Sequence, residues 1–484
     1  MPSASRLLVA SACLMGSALG FEALAGFKMP SLQGMQKAAA NKAQFGDKKL
    51  AVVTGTSSGL GRATARALLR TGEYHVIGAV RDLDKMELIA ELDDFDMSSF
   101  TAMECDLNDF SCVRSFCDEV VKFANDKPLD RLVCNAAVYQ PSLDYPKFSK
   151  DNIEQQMQTN FLSHFMMISL LMPVMTGTSE TTRPRITMVG SVTGNDNTVG
   201  GGGVYPIADL KELEGLKAGA RNPISMMDGY SFNGAKGYKD SKLALMMLSN
   251  MLHDKYHRQT GIAFSSIYPG CIAESPLFRE KRPWFRKYFP VFMKFITGGY
   301  VGEEEAGQRL FQVMHDPRCT KSGVYWSWNG GPREGRGAEA IEKGGQIAGA
   351  GGAGGGWDSI YENDQSDKVL DTRKAAALWE YATAVTGVTW PEANQPKSPC
   401  PTLKVVGMAT SFLERREEQK RMAVRPGIDG VLASTKTEPA MFDRQIQMIK
   451  NLQTKLLGDV PEEAVAGSNM FDVGVASVKK PASA

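Results

Sequence analysis

From Lys48 to Asn329, short apolar runs alternate with helix-length amphipathic stretches. That rhythm predicts an α/β fold, a doubly wound parallel sheet with helices on both faces. The runs predict strands at Leu50 to Thr54, His75 to Val80, Thr101 to Cys105, Arg131 to Cys134, Arg185 to Val189, Ala263 to Tyr268 and Gly323 to Trp326. Seven strands of this kind form one sheet, and its ligands are expected beyond the carboxyl ends of the strands. A long helix is predicted over Asp151 to Met172. Three stretches break the rhythm: Thr193 to Phe232, Cys271 to Tyr300, and residues 330–356, where GAGGAGGGW ends a glycine-rich insertion. Glycine at that density buries no side chains and has high backbone entropy, so a surface insertion is expected.

The organisation that follows is a leader over residues 1–47, a catalytic domain over 48–329 and the insertion over 330–356. A helical segment over 357–390 is expected to pack back on the domain. The tail, 391–484, reads as largely disordered apart from an amphipathic stretch from Met441 to Leu457. In the leader, Arg6 precedes an uncharged run from Leu7 to Phe21, the size of a signal-peptide core and short for a membrane span. Lys28 to Lys49 is basic and nearly free of acid. The pair resembles the bipartite plastid leader of algae with secondary plastids; an uncleaved anchor or a plain secretory signal is the alternative.

Lys plus Arg number 55 against 54 Asp plus Glu in the 484 residues, so no global field points to nucleic acid. The cysteines form no CxxC pair and no metal-ligand cadence, which predicts reduced, mostly buried thiols and no metal site. His253 and His257 lie four apart, but HDKYH lacks the Glu of a zinc-protease motif, and a solvated helix face is expected.

The segment LAVVTGTSSGLGRATARAL sets Gly55, Gly59 and Gly61 directly after a buried strand and at the start of a helix. Glycines there permit a tight turn and close backbone approach, and the helix start offers free N–H groups to a pyrophosphate. Ser57 and Ser58 add hydroxyl donors, and Leu60 belongs to the same turn. Where an NAD site carries an acid at the end of the second strand, this chain has Arg81, with Lys85 one helical turn on. Two cations suit a 2′-phosphate and favour NADPH; Asp82 is the one feature on the NADH side. Tyr238 and Lys242 are four apart on one helix face, where an ammonium can lower the phenol's proton affinity and hold a nicotinamide ribose. Ser191, in GSVTG after the fifth strand, offers a hydroxyl beside the reacting bond.

The GxxxGxG spacing and the order glycine turn, Asn135, Ser191, Tyr238, Lys242 resemble the Rossmann-type short-chain dehydrogenases. Within that superfamily, LVCNAAVY, FNGAKGYKDSK, YPGCIAESPLFRE, EEEAGQRLFQV and KSGVYWSWN resemble light-dependent protochlorophyllide reductases, over roughly Lys48 to Asn329. The resemblance implies reduction of the C17=C18 double bond of protochlorophyllide in the plastid, with hydride from NADPH, a proton from Tyr238, and the pigment absorbing the photon. It implies that Asp106 and Leu107 flank the adenine, and that Asn135, Ala136 and Ala137 form the family's NNAG-like turn, with Ala137 where Gly is usual. It also implies that Asn160 steadies a water beside the lysine, and that Cys271 shapes the pigment site and contributes to proton delivery.

FREKRPWFRKYFPVFMKF mixes cations with aromatics, which suits either a cap over a flat macrocycle or peripheral contact with a plastid membrane. A homo-oligomer is a further expectation. The chain departs from the family at TNFLSHF, where TNHLGHF is common, and at Leu243 and Ala244, where a cysteine is common; both predict an altered pigment pocket. Two other readings remain open on the residues alone: a dark carbonyl or retinoid reductase with the same machinery, and a pigment-binding, membrane-organising protein with little turnover.

Overall fold

The computed structural model describes residues 40–175, 183–273, 275–278, 287–288, 290–291, 300–328 and 357–391. The leader's apolar core, the glycine-rich insertion, Met441 to Leu457 and most of the Phe278 to Phe295 stretch lie outside them. Among the described residues no helix is long and apolar enough to cross a membrane.

In chain order the main elements are β1 (Lys49–Thr54), α1 (Gly59–Arg70), β2 (Tyr74–Val80), α2 (Leu83–Leu92), β3 (Phe100–Glu104), α3 (Phe110–Ala124) and β4 (Leu129–Cys134). Next comes α4, which joins Gln155–Met157, a π-helical turn Gln158–Leu162 and Ser163–Leu171. It is followed by β5 (Arg185–Val189), α5 (Gly234–Leu252), β6 (Ala263–Ile267), α6 (Glu303–His315), β7 (Val324–Trp328), β8 (Ile360–Asn363) and α7 (Thr372–Thr386). One sheet runs β3-β2-β1-β4-β5-β6-β7-β8. The first seven strands are parallel; Ala51, for instance, pairs with Val76 on one side and Arg131 on the other. Chain direction across the sheet reverses between β1 and β4, and this is where such a fold opens a crevice for ligands.

The strands are apolar along their length because helices cover both faces. Every residue of β2, β5, β6 and β7 is buried. On one face α1 packs against α6. On the other, α5 lies against β6, α4 and α7, so every residue of α5 except Lys236 is buried. A 19-residue helix with almost no wet side reads as apolar-rich without a clear amphipathic face, as this one does.

Three expectations need correction. The sheet has eight strands, not seven: β8 pairs antiparallel with β7, Tyr325 opposite Asn363. Its four residues, IYEN, carry no strand pattern of their own, and the free edge of β7 supplies the partner that makes them a strand. The helix expected from Asp151 starts later, at Gln155, because Asn152 has a φ of 61° and Ile153 bridges to Arg221. His253 and His257 are not on a solvated face. Their rings stack at 5.1 Å, His253 Nδ1 lies 2.9 Å from Ser322 Oγ and His257 Nδ1 2.7 Å from the Ile262 carbonyl.

The thiols behave as expected: the six described cysteines are free, four of them buried. Beyond β8, α7 docks through Ala375, Leu378, Ala382 and Thr386. Trp379 and Trp390 sit 4.2 Å apart and both meet the Phe165 ring, at 5.3 and 4.8 Å. Leu378 is 1% exposed, so Leu378→Ala is expected to lower the unfolding free energy by about 2–5 kcal/mol, while exposed Glu380→Ala stays within about 0.5 kcal/mol, measured by urea unfolding. Equal, small effects would mean that α7 is not part of the cooperative unit.

Candidate active site

The cofactor side is built at the reversal between β1 and β4. Gly55, at a φ of 77°, turns the chain out of β1, and Gly59 at 57° opens α1. A Cβ at Gly61 would stand 2.3 Å from the Gly55 carbonyl oxygen and 2.5 Å from Asn135 Nδ2, so no larger residue fits. Ser58 is the N-cap of α1, its hydroxyl unused in capping, and Ser57 is half-buried beside it. Leu60, the second residue of the helix, is buried. The first-turn N–H groups therefore face the turn that Gly55 and Gly61 keep clear, which is the shape a pyrophosphate needs.

Asn135 fixes the other wall. Its Nδ2 donates to the Thr54 carbonyl at 2.8 Å, while Asn135 N and Ala136 N both donate to Thr54 Oγ1 at 2.9 Å. Ala137 is half-buried in the same turn. Arg81 and Lys85 stand exposed after β2. Asp82 does not oppose them, since its carboxylate caps α2 by accepting from Lys85 N at 2.9 Å. The acid that pointed toward NADH thus has a local structural use. After β3, Asp106 Oδ1 accepts from Asn108 N at 3.0 Å, and the buried Leu107 offers its carbonyl to Ser163 Oγ at 2.7 Å.

The acid–base side lies over the ends of β4, β5 and β6. Tyr238 and Lys242 share one face of α5, with the Lys242 Nζ 5.6 Å from the Tyr238 ring centre. Lys242 is 2% exposed and donates to the Val189 carbonyl at 2.7 Å. With no carboxylate beside it among the described residues, burial pulls its pKa down to about 7. Burial likewise drives the Tyr238 phenol up, with the Tyr139 phenol and the Cys271 thiol adding to the effect and a hydrogen bond from Ser191 opposing it. Among the groups that shift the phenol, desolvation is the largest effect. Ser191 is 8% exposed, and its Oγ lies 2.9 Å from Thr193 Oγ1. Cys271 is half-buried, bridges to Tyr300, and enclosure of its sulfur pushes the thiol up to about 12, far from a reactive thiolate.

Asn160 sits in the π-turn of α4. Its Oδ1 accepts from Val138 N at 2.8 Å, and its Nδ2 donates to the Val138 carbonyl and to Ser241 Oγ, both at 3.0 Å. Its side chain is thus spent on protein partners, and any water beside the lysine would have to use its carbonyl.

The structure brings Tyr238, Lys242, Ser191 and Cys271 together, with Asn160 behind them, and gathers Gly55, Gly59, Gly61, Asn135 and Ala136 into a separate wall. Sequence reading missed Thr54, His164 and Tyr139. Thr54 was signalled only by preceding Gly55, and His164 by lying four residues after Asn160. Tyr139 lies against Tyr238, the ring centres 4.6 Å apart and the planes tilted by 50°, and meets Phe278 at 5.9 Å, forming an aromatic wall over the phenol. The excursion before α5 is pinned by Lys236, which donates to Asp228 at 2.7 Å and Asp240 at 2.6 Å, and by Lys239, which donates to the Val204 carbonyl at 2.5 Å. Among the described residues no His, Cys, Asp or Glu cluster could hold a metal.

Residues 49–207 match the short chain dehydrogenase family. A chloroplastic protochlorophyllide reductase of Marchantia paleacea is 44% identical over 343 residues, 70% of this chain and 68% of that one. The chloroplastic enzyme of Chlamydomonas reinhardtii is 42% identical, over 71% of this chain and 79% of its own. Among solved structures, an NADP complex from Pseudomonas aeruginosa is 22% identical, covering 57% of this chain and 93% of that one at a TM-score of 0.41. Identity at this level over more than two thirds of both chains is enough to say that the chain belongs to the protochlorophyllide reductase family of short-chain dehydrogenases.

Proposed function

We propose that this chain reduces the C17=C18 double bond of protochlorophyllide to give chlorophyllide, with NADPH as reductant and the bound pigment absorbing the light that starts the reaction. It is a step of chlorophyll synthesis in a plastid. The observation that carries this is 44% identity to a protochlorophyllide reductase, on a chain whose Tyr238, Lys242, Ser191 and Cys271 converge. A signal-like core followed by a basic, acid-poor stretch supports a plastid reached by a secretory route, as in algae with secondary plastids. The cations and aromatics of Phe278 to Phe295 support peripheral contact with its membrane.

NADPH fits the cradle beside Gly61 and, when bound, supplies the hydride. Ser57, Ser58 and the N–H groups from Gly59 to Gly61 would hold its phosphates, and Arg81 and Lys85 would answer the 2′-phosphate. Asp106, Leu107 and the Asn135 to Ala137 turn bound the rest of the cleft. Tyr238 keeps its proton because burial disfavours the phenolate, so the proton leaves only toward a strongly basic carbon formed beside it. Ser191 aims the phenol. Lys242 then stabilises the phenolate, since the new anion is the counter-charge its buried ammonium lacks. Cys271 lines the pigment side as a neutral thiol.

Three outcomes are expected. The purified protein with NADPH and protochlorophyllide should form product, followed by pigment absorption, only after illumination. Bound pigment that never converts would favour the organising role, and turnover of carbonyl substrates in darkness would favour a dark reductase. Tyr238→Phe should lower conversion by about 10²-fold or more while leaving NADPH affinity within about threefold; unchanged conversion would remove Tyr238 from its role. The third outcome concerns protons. Lys242 in the free protein is largely neutral above its pKa of about 7, and a ligand that favours the ammonium raises that pKa. NADPH binding at about pH 8 should therefore take up part of a proton, read by calorimetry in buffers of different ionisation enthalpy. Lys242→Met should abolish the uptake; uptake that persists would assign it to another group.

A further inference from the structure

We infer that His164 is a positioning residue for the reaction, a fixed two-sided bridge that locks the cofactor turn to the helix carrying Tyr238 and Lys242. His164 is 0% exposed and follows the π-turn of α4. Its Nδ1 lies 3.1 Å from the Asn160 main-chain oxygen, and its Nε2 lies 3.1 Å from Thr54 Oγ1.

Donor and acceptor roles along this chain of contacts follow from counting protons. A carbonyl oxygen only accepts, so Nδ1 carries the imidazole proton. Burial, reinforced by the Lys242 charge, holds the ring pKa down to about 4, so the ring is neutral at working pH and Nε2 must accept. Thr54 therefore donates its only hydroxyl proton to His164 in preference to the Val133 carbonyl, which is farther away at 3.3 Å. The Thr54 lone pairs are left for Asn135 N and Ala136 N.

On the other side the count closes as well. Ser241 Oγ donates to the Tyr238 carbonyl at 2.7 Å and so accepts from Asn160 Nδ2. Asn160 is thus held by its carbonyl to His164 and by its side chain to Val138 and to α5, one residue from Lys242. The π-turn is part of the device. There the Ser163 N–H donates to the Gln158 carbonyl, five residues back, and such turns concentrate where a helix must aim a residue. Each link has one allowed direction, so a shift of the cofactor turn is felt at Asn160 and α5. His164 touches no reacting atom.

The test uses two variants of the full protein. His164→Phe keeps the ring's bulk and loses both polar atoms; His164→Gln keeps one donor and one acceptor. In the Phe variant we expect NADPH to bind on the order of tenfold more weakly, and conversion per flash at saturating NADPH to fall on the order of tenfold, with Gln recovering most of both. A folded Phe variant with wild-type NADPH affinity and conversion overturns the inference, as does a Gln variant no better than Phe at equal melting temperature. If the Phe variant does not fold, 15N NMR of the histidine-labelled wild-type protein decides. A ring protonated at Nδ1 and bare at Nε2 supports the bridge, and the opposite tautomer or an imidazolium overturns it. Only the conversion readout rests on the proposed function; NADPH affinity and the tautomer do not, so failure of one is distinguishable from failure of the other.

Discussion

The site depends on a lysine amine kept inside the protein with a single carbonyl for company. Lys242 donates a hydrogen bond to the Val189 carbonyl and meets no carboxylate among the described residues, so burial leaves its charge uncompensated and lowers its pKa to about 7. A charge this costly persists only where the surroundings cannot relax to solvate it. The burial of nearly all of α5 supplies that constraint. The turn after Ser191 adds to it: a Cβ on Gly194 would sit 2.7 Å from Leu243 N, so the loop bearing Ser191 presses directly on the helix bearing Lys242. Ser191, Tyr238 and Lys242 are therefore placed by one packing arrangement, and loosening any part of it wets the amine.

Around that centre the molecule divides by stiffness. The cofactor wall is made of strand ends cross-linked by Thr54 and Asn135, with backbone and short side chains that have few conformations to lose. The side on which the proposed reaction would take its substrate is made of long excursions. The one before α5 is fastened by buried charges: Lys236 between Asp228 and Asp240, and Lys239 against carbonyls. Burial raises Asp240 to about 7 even beside Lys236, and it lowers Lys239 to about 8. Fastenings of that kind fix one geometry while contributing little net stability. Such a division suits a reaction in which the reductant must be held to a fraction of an ångström and a large flat substrate must still get in.

The fold was legible because parallel strands buried on both faces leave continuous apolar runs, and all seven are where those runs stand. β8 was not legible, since its pairing belongs to the edge of β7 and not to IYEN. At the site, residues that act through a spacing were readable: the glycine turn by strand and helix on either side, Tyr238 and Lys242 by their separation of four. Residues that act through contacts distant in sequence were not. Thr54 reaches Asn135 across 81 positions and His164 across 110, and no local pattern records such a pairing. The burial that lowers Lys242 was not legible for the same reason, since spacing reports neighbours and says nothing of solvent.

The departures from the family pattern illustrate how a buried helix accommodates a change of side chain. Phe161 and Ser163 stand on α4 where His and Gly are common, and an altered pigment pocket was the expectation. Both are fully buried. Ser163 uses its hydroxyl to hold the Leu107 carbonyl, tying α4 to the turn after β3. Phe161 packs on Phe165 at 5.9 Å, and Phe165 in turn meets Trp379 and Trp390 from beyond β8. The larger ring is thus matched by aromatics of the C-terminal segment, through Phe165. A buried helix that gains bulk must find partners or deform. Here the partners come from the segment that follows the glycine-rich insertion, so α7 and the π-turn of α4 belong to one packing unit, and the position of Asn160 is stabilised from behind by residues more than 200 positions away.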